Sequence, residues 1–221
     1  MPIQKISFSN WTLDELGAAF GIEQIFQSNL LAAWKSWEVP ITEMELQYLS
    51  KLQHVLQLAG DEWNETELEN KFISPLIMLA DIDNMAFSYF LERDFGATIG
   101  EYELSGIVDG LIATGFRSPH IPFFCMHEYK RAVDNKGHPN AQTLASMLVA
   151  QSMNDSEYPI YGLFIIGSIW QFIVLDGKKY CISEKYDATV SNDGNRDILG
   201  IFAMMKSLRF MIETQLQKNE K

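Results

Sequence analysis

The sequence predicts an α/β protein: a central mixed β-sheet flanked by helices, with a helical extension before it and a long helix after it. Three observations carry this. Apolar side chains recur every three or four residues up to about Ala59, the period of an amphipathic helix. Glu103–Thr114 and Phe123–Lys130 are rich in β-formers and read as strands. Ile198–Leu216 is again amphipathic with a helical period. With 221 residues, 47% of them hydrophobic, the chain has ample material for a core. No internal repeat, low-complexity tract or linker interrupts it. One domain over 1–221 is therefore expected, with a helical extension at 1–60, a core at 64–185 and a C-terminal helix at 195–219.

Taken in order, Thr12-Leu-Asp-Glu15 is a capping box, since the Thr oxygen and the Glu carboxylate can satisfy first-turn amides. Ile22–Trp37 has Ile25, Leu30, Leu31, Trp34 and Trp37 at helical spacing and stops at Pro40. Thr42–Leu58 resumes the pattern, Gly60 ends it, and His54 is a partly exposed position within it. Asn64 is a strong N-cap, and Glu65, Glu67 and Glu69 suit the positive end of the next helix. Asp81 and Asp83 follow that helix, where turn chemistry is the ordinary role of aspartate. Phe87–Leu91 reads as a strand, and Glu92-Arg-Asp with Gly96 as a turn. Gly115, Pro119 and Pro122 break the chain between the two central strands. Asp134–Asn140 is a polar loop before a helix at Ala141–Met153. Pro159–Ile166 is almost continuously apolar, as in a strand buried on both faces. Gly167-Ser168 and Asp176-Gly177 then mark turns to two further strands, and Ser191–Asn195 reads as a loop.

Net charge is −12, from 17 basic and 29 acidic residues. Such a chain repels nucleic acid at long range, so polyanion binding needs a local basic patch or a metal. Cys125 and Cys181 lie among apolar neighbours and read as buried free thiols of a reducing cytoplasm. The N-terminus lacks a secretory apolar segment, and Ile160–Leu175 is too interrupted by Gly and Gln to span a bilayer, so no membrane partner is expected.

The chemistry concentrates in Gly106-Ile-Val-Asp109-Gly and His127-Glu128-Tyr-Lys130. Strand side chains alternate, so Glu128 and Lys130 share a face while His127 and Tyr129 take the other. Pairing of the two strands sets Asp109 beside Glu128. Two hard oxygen anions side by side call for a cation between them, and Mg²⁺ (or Mn²⁺) is the usual one. The competing account is ordinary surface charge at a strand end.

The order of elements is a helix with Glu65, a strand with Asp109, a strand with Glu128-Tyr-Lys130, a helix with Gln142 and the strand Ile160–Ile166. It resembles the PD-(D/E)XK nuclease superfamily, the restriction-endonuclease-like fold. Glu65–Ile77 is similar to the opening helix of its type I restriction-subunit-like members, and Tyr161–Phe172 to their strand-turn-strand. Val108 stands where the family pattern has Pro.

The resemblance implies phosphodiester hydrolysis of nucleic acid, DNA above all. Asp109, Glu128 and the Tyr129 carbonyl would hold Mg²⁺, Glu65 would complete the site with Glu69 as its alternate, Lys130 would steady the attacking water or developing charge, and Gln142 would orient Lys130 or contact the phosphate backbone. Lys71, Arg117, Arg131 and Lys136 are candidate phosphate contacts. The acidic charge favours two other readings: a non-catalytic nuclease-like module that binds a protein partner or its own copies, and a hydrolase of small phosphates.

Overall fold

The computed structural model describes residues 3–131, 137–154, 158–192 and 195–219. Its first part alternates short strands with helices: β1 (Gln4–Ser7), α1 (Leu13–Phe20), β2 (Glu23–Gln24), α2 (Asn29–Lys35) and α3 (Glu43–Ala59). Next come α4 (Glu65–Leu68), a wide π-helical turn (Glu69–Ile73) and α5 (Ser74–Leu79). Three long strands follow, β3 (Phe87–Ile99), β4 (Tyr102–Thr114) and β5 (His120–Lys130), then α6 (Pro139–Asn154). The chain closes with β6 (Ile160–Ile166), β7 (Ile169–Asp176), β8 (Lys179–Ile182), β9 (Tyr186–Asp187), the small pair β10 (Ser191–Asn192) and β11 (Asn195–Arg196), and α7 (Asp197–Asn219).

Nine of these strands form one mixed sheet with β1-β4-β5-β6-β7-β8-β2 as its main path, β3 pairing β4 and β9 pairing β7. β4 and β5 are antiparallel, β5 and β6 parallel, and β6 and β7 antiparallel. The sheet is covered on both faces. One face carries Leu163, Ile165, Trp170 and Phe172 against Trp34 of α2, Leu49 and Leu52 of α3, Phe72, and Phe202 and Leu208 of α7. The opposite face carries Leu111, Met126, Ile160 and Ile173 against Leu16 of α1 and Leu144, Met147 and Leu148 of α6. Burying one such side chain contributes roughly 1.5–3 kcal/mol, so this packing, rather than helix propensity, holds the helices in place. Polar ties add direction. Trp34 Nε1 donates to the Met204 carbonyl at 2.8 Å, and the Lys206 ammonium meets Glu45 Oε1 at 2.6 Å.

Two expectations need correction. The N-terminal region is mostly helical, but β1 joins β4 and β2 joins β8, both in parallel. Gly21 takes a left-handed φ of 64° and ends α1, and the next helix starts only at Asn29, capped by Ser28. Ile22–Trp37 is therefore a short strand and a short helix. The second correction is larger. Glu92-Arg-Asp and Gly96 do not turn; they lie inside β3, paired with β4 from Ile99–Tyr102 to Phe87–Thr114. A Cβ on Gly96 would come 2.8 Å from the Leu104 carbonyl, so that glycine serves close strand contact. The actual reversal is at Gly100, with φ 61°.

Other expectations hold. The Thr12 capping box is formed, and Asn64 is the N-cap of α4. Six of the seven residues of β6, Ile160–Ile165, are buried. Cys125 and Cys181 are buried and free. His54 is exposed.

Candidate functional site

Gly110 of β4 pairs with His127 of β5, which brings Asp109 beside Glu128 one step along the ladder. Asp109 Oδ2 accepts the Tyr129 backbone N–H at 2.9 Å. The Lys130 ammonium lies 3.0 Å from Glu128 Oε1 and 3.7 Å from Glu65 Oε1. An amine thus sits between a strand carboxylate and a helix carboxylate.

Local chemistry explains how Glu65 arrives there. Asn64 Oδ1 accepts the Glu67 N–H at 2.9 Å, and the Glu67 carboxylate accepts from Asn64 N–H at 3.3 Å while holding Lys71 at 2.5 Å. The cap occupies Glu67, and Glu65 is left to face Lys130. The π-helical turn that begins at Glu69 widens the helix directly after this point, as such turns often do beside functional sites.

Burial dominates the electrostatics. Glu128 is only 2% exposed, and burial, reinforced by the Asp109 carboxylate, pushes its pKa up to about 8. Burial also raises Asp109, with Glu65 and Glu69 adding to it and the Tyr129 N–H and Lys130 opposing. Burial alone would lower Lys130, but Glu128, Asp109 and Glu65 outweigh it and hold the ammonium above its usual range. The buried Glu128 Oε1 has the Lys130 ammonium, at 3.0 Å, as its partner.

The crowding of carboxyl groups bears on metal binding. Three of them, Asp109, Glu128 and Glu65, lie near one ammonium, and Glu128 must give up its proton before all three carry charge. Acceptor-only oxygens of this kind suit a hard divalent cation. Among the described residues, however, no three His, Cys, Asp or Glu side chains are set to enclose a metal ion. Glu65 meets Lys130 instead of closing such a cage. A cation here would rest on Asp109, Glu128 and backbone, with water or a phosphate completing its shell, which is the habit of Mg²⁺.

The remaining expected residues are scattered. Gln142 is half-buried in the first turn of α6 and makes no hydrogen bond to Lys130 among the described residues. Glu69 lies near the Tyr129 and Tyr89 hydroxyls, both raised chiefly by burial. Lys71 is engaged by Glu67 and lies 5.3 Å from the Trp63 ring. Arg117 and Arg131 are exposed, and Lys136 lies outside the described residues.

Two features escaped sequence reasoning. Glu92 has φ 46°, and the Glu92–Asp109 pair drops out of an otherwise continuous β3–β4 ladder. A left-handed glutamate in a strand is a strained backbone, and here it sits opposite the candidate site. Tyr89 also stands behind the site, its ring 5.2 Å from the His127 ring. Its length suits the missing side chain of Gly110, where a Cβ would come 2.4 Å from the Tyr89 hydroxyl. The run of charge at Glu92 looked like a turn, and Gly110 was the one available hint of Tyr89.

Fold and site together define a mixed-sheet α/β protein with a buried Glu128, a half-buried Asp109 and an amine at one strand end. Against protein-family models and curated proteins the chain finds no match. Among the described residues no helix is long and apolar enough to cross a membrane.

Proposed function

We propose that the protein is a Mg²⁺-dependent (or Mn²⁺-dependent) nuclease of the PD-(D/E)XK kind that hydrolyses phosphodiester bonds of nucleic acid, DNA above all. The observation that carries this reading is the buried Glu128 carboxyl group set beside Asp109 and Lys130. Asp109, Glu128 and the Tyr129 carbonyl hold the cation, and Glu65 contributes through Lys130 or a water. When bound, the cation supplies a Lewis acid that polarises a phosphate oxygen and acidifies a water. Lys130, charged and set between the carboxyl groups of Glu128 and Glu65, stabilises negative charge developing on the phosphate. Tyr129 N–H fixes the rotamer of Asp109. The buried thiols suit a reducing cytoplasm.

The test is cleavage of single- and double-stranded DNA and RNA with Mg²⁺ or Mn²⁺, compared with chelator and with Lys130→Ala. Metal-dependent cleavage lost in the variant supports the reading. No cleavage of any substrate with either metal sinks it.

A second reading, a nuclease-like assembly module without catalysis, is favoured by one observation. Lys130 contacts both Glu128 and Glu65, which partly neutralises the cluster from within. It predicts no heat on calorimetric titration with Mn²⁺.

A further inference from the structure

α3 presents two apolar faces. Leu49, Leu52 and Leu56 enter the core. A second stripe, Met44, Tyr48, Lys51, Val55 and Leu58, faces solvent, with Met44 and Leu58 each 72% exposed. Its spacing is four, three, four, three. That is the seam of a coiled coil, and the side of α3 turned away from the core has no internal use for it. The seam continues sideways into a groove of about 470 Å³ lined by Tyr48, Pro75, Met78 and Leu79, with Met78 69% exposed. Contiguous apolar surface on the order of several hundred Å² marks an interaction site.

We infer that this seam pairs with the α3 seam of a second copy of the chain, antiparallel about a two-fold axis. Two observations favour a second copy as occupant. First, Leu46–Ala59 contains no Asp or Glu, although 29 of 221 residues are acidic. Two chains of charge −12 can approach along this face without opposing carboxylates. Second, the one charge in the seam is self-complementary. Lys51 is exposed and forms no ion pair among the described residues. An antiparallel register that sets Met44 against Val55 of the second copy also sets Lys51 against Tyr48 of that copy, an ammonium against an aromatic ring. Lys51 then avoids its own symmetry mate, and a single lysine in an apolar seam fixes register. A 17-residue helix is about 25 Å long, and covering this face and its groove on both copies removes on the order of 1,000 Å², the threshold for a specific interface.

The experiment is sedimentation velocity on the full chain at micromolar concentrations. The wild type sediments as a dimer, and Leu58→Glu shifts it to a monomer that keeps its circular-dichroism spectrum, since Leu58 does not enter the core. Oxidation of the double variant Met44→Cys with Val55→Cys yields a covalent dimer, whereas Met44→Cys alone does not. A monomeric wild type, or a Leu58→Glu variant that remains dimeric, overturns the inference. A covalent dimer formed by Met44→Cys alone overturns the antiparallel register.

Discussion

His127 and Glu128 are neighbours in one strand, equally buried at 1% and 2% exposure. Their surroundings make them opposites. His127 faces the side of the sheet that carries Tyr89, where burial pushes its pKa down to about 3 and keeps the ring neutral. Glu128 faces Asp109 and Lys130, where burial and the second carboxylate push it up to about 8. An inert interior loses its charges and needs nothing more. Glu128 instead sits beside a second carboxyl group and a charged amine. That contrast separates a face without charged neighbours from one with them within a single strand.

The sharpest way to break the contrast is to remove charge from the Glu128 side. Asp109→Asn or Lys130→Ala lowers metal-dependent cleavage by about 10²-fold or more, measured as single-turnover rate on labelled DNA. The matching change on the other side, His127→Phe, leaves that rate within a few-fold of wild type.

Acidity separates the two faces next. In the metal-free protein Glu128 keeps its proton up to about pH 8, while an unfolded chain releases it near 4.5. Its contribution is thus fully present below 4.5 and is lost as pH rises through 8. Across this range the loss is on the order of a few kcal/mol, read from urea unfolding between pH 5 and 9, and Glu128→Gln flattens it. His127 works in the other direction. Its folded pKa of about 3 lies below the ordinary 6.5, so stability is present above 6.5 and is lost as pH falls toward 3. Between pH 6.5 and 5 that amounts to about 2 kcal/mol, which His127→Phe removes. Equal pH profiles for the two variants would erase the distinction between the faces.

The smallest effect concerns the helix carboxylates. Glu65 contacts Lys130 directly, whereas Glu69 lies near Tyr129 and Tyr89. Glu65→Gln lowers the cleavage rate roughly 10-fold, as expected for a group that supports a reacting one, and Glu69→Gln changes it less. The reverse order would assign the role to Glu69.

Much of this was legible in the sequence because the signals were local. The capping box at Thr12, the N-cap at Asn64, turns at Gly167 and Gly177, and the alternation around Asp109 and Glu128 each depend on residues close in the chain. The failures involve distant partners. β1 has four residues, too few for a period, and exists because β4 offers its edge. Glu92–Gly96 carries turn-like residues, yet the ladder with β4 keeps it extended. At the site, strand alternation set Glu128 with Lys130 and apart from His127. It could not show that Lys130 would reach Glu65, that Gln142 would form no bond to it, or that Glu92 would take a left-handed φ across from Asp109.

The most direct test is calorimetric titration of the metal-free protein with Mn²⁺ near neutral pH, in two buffers of different ionisation enthalpy. The account predicts one binding site, release of close to one proton as Glu128 ionises on binding, and loss of the site in Asp109→Asn. Absence of binding heat in both buffers, or a site that persists unchanged in Asp109→Asn, would contradict it.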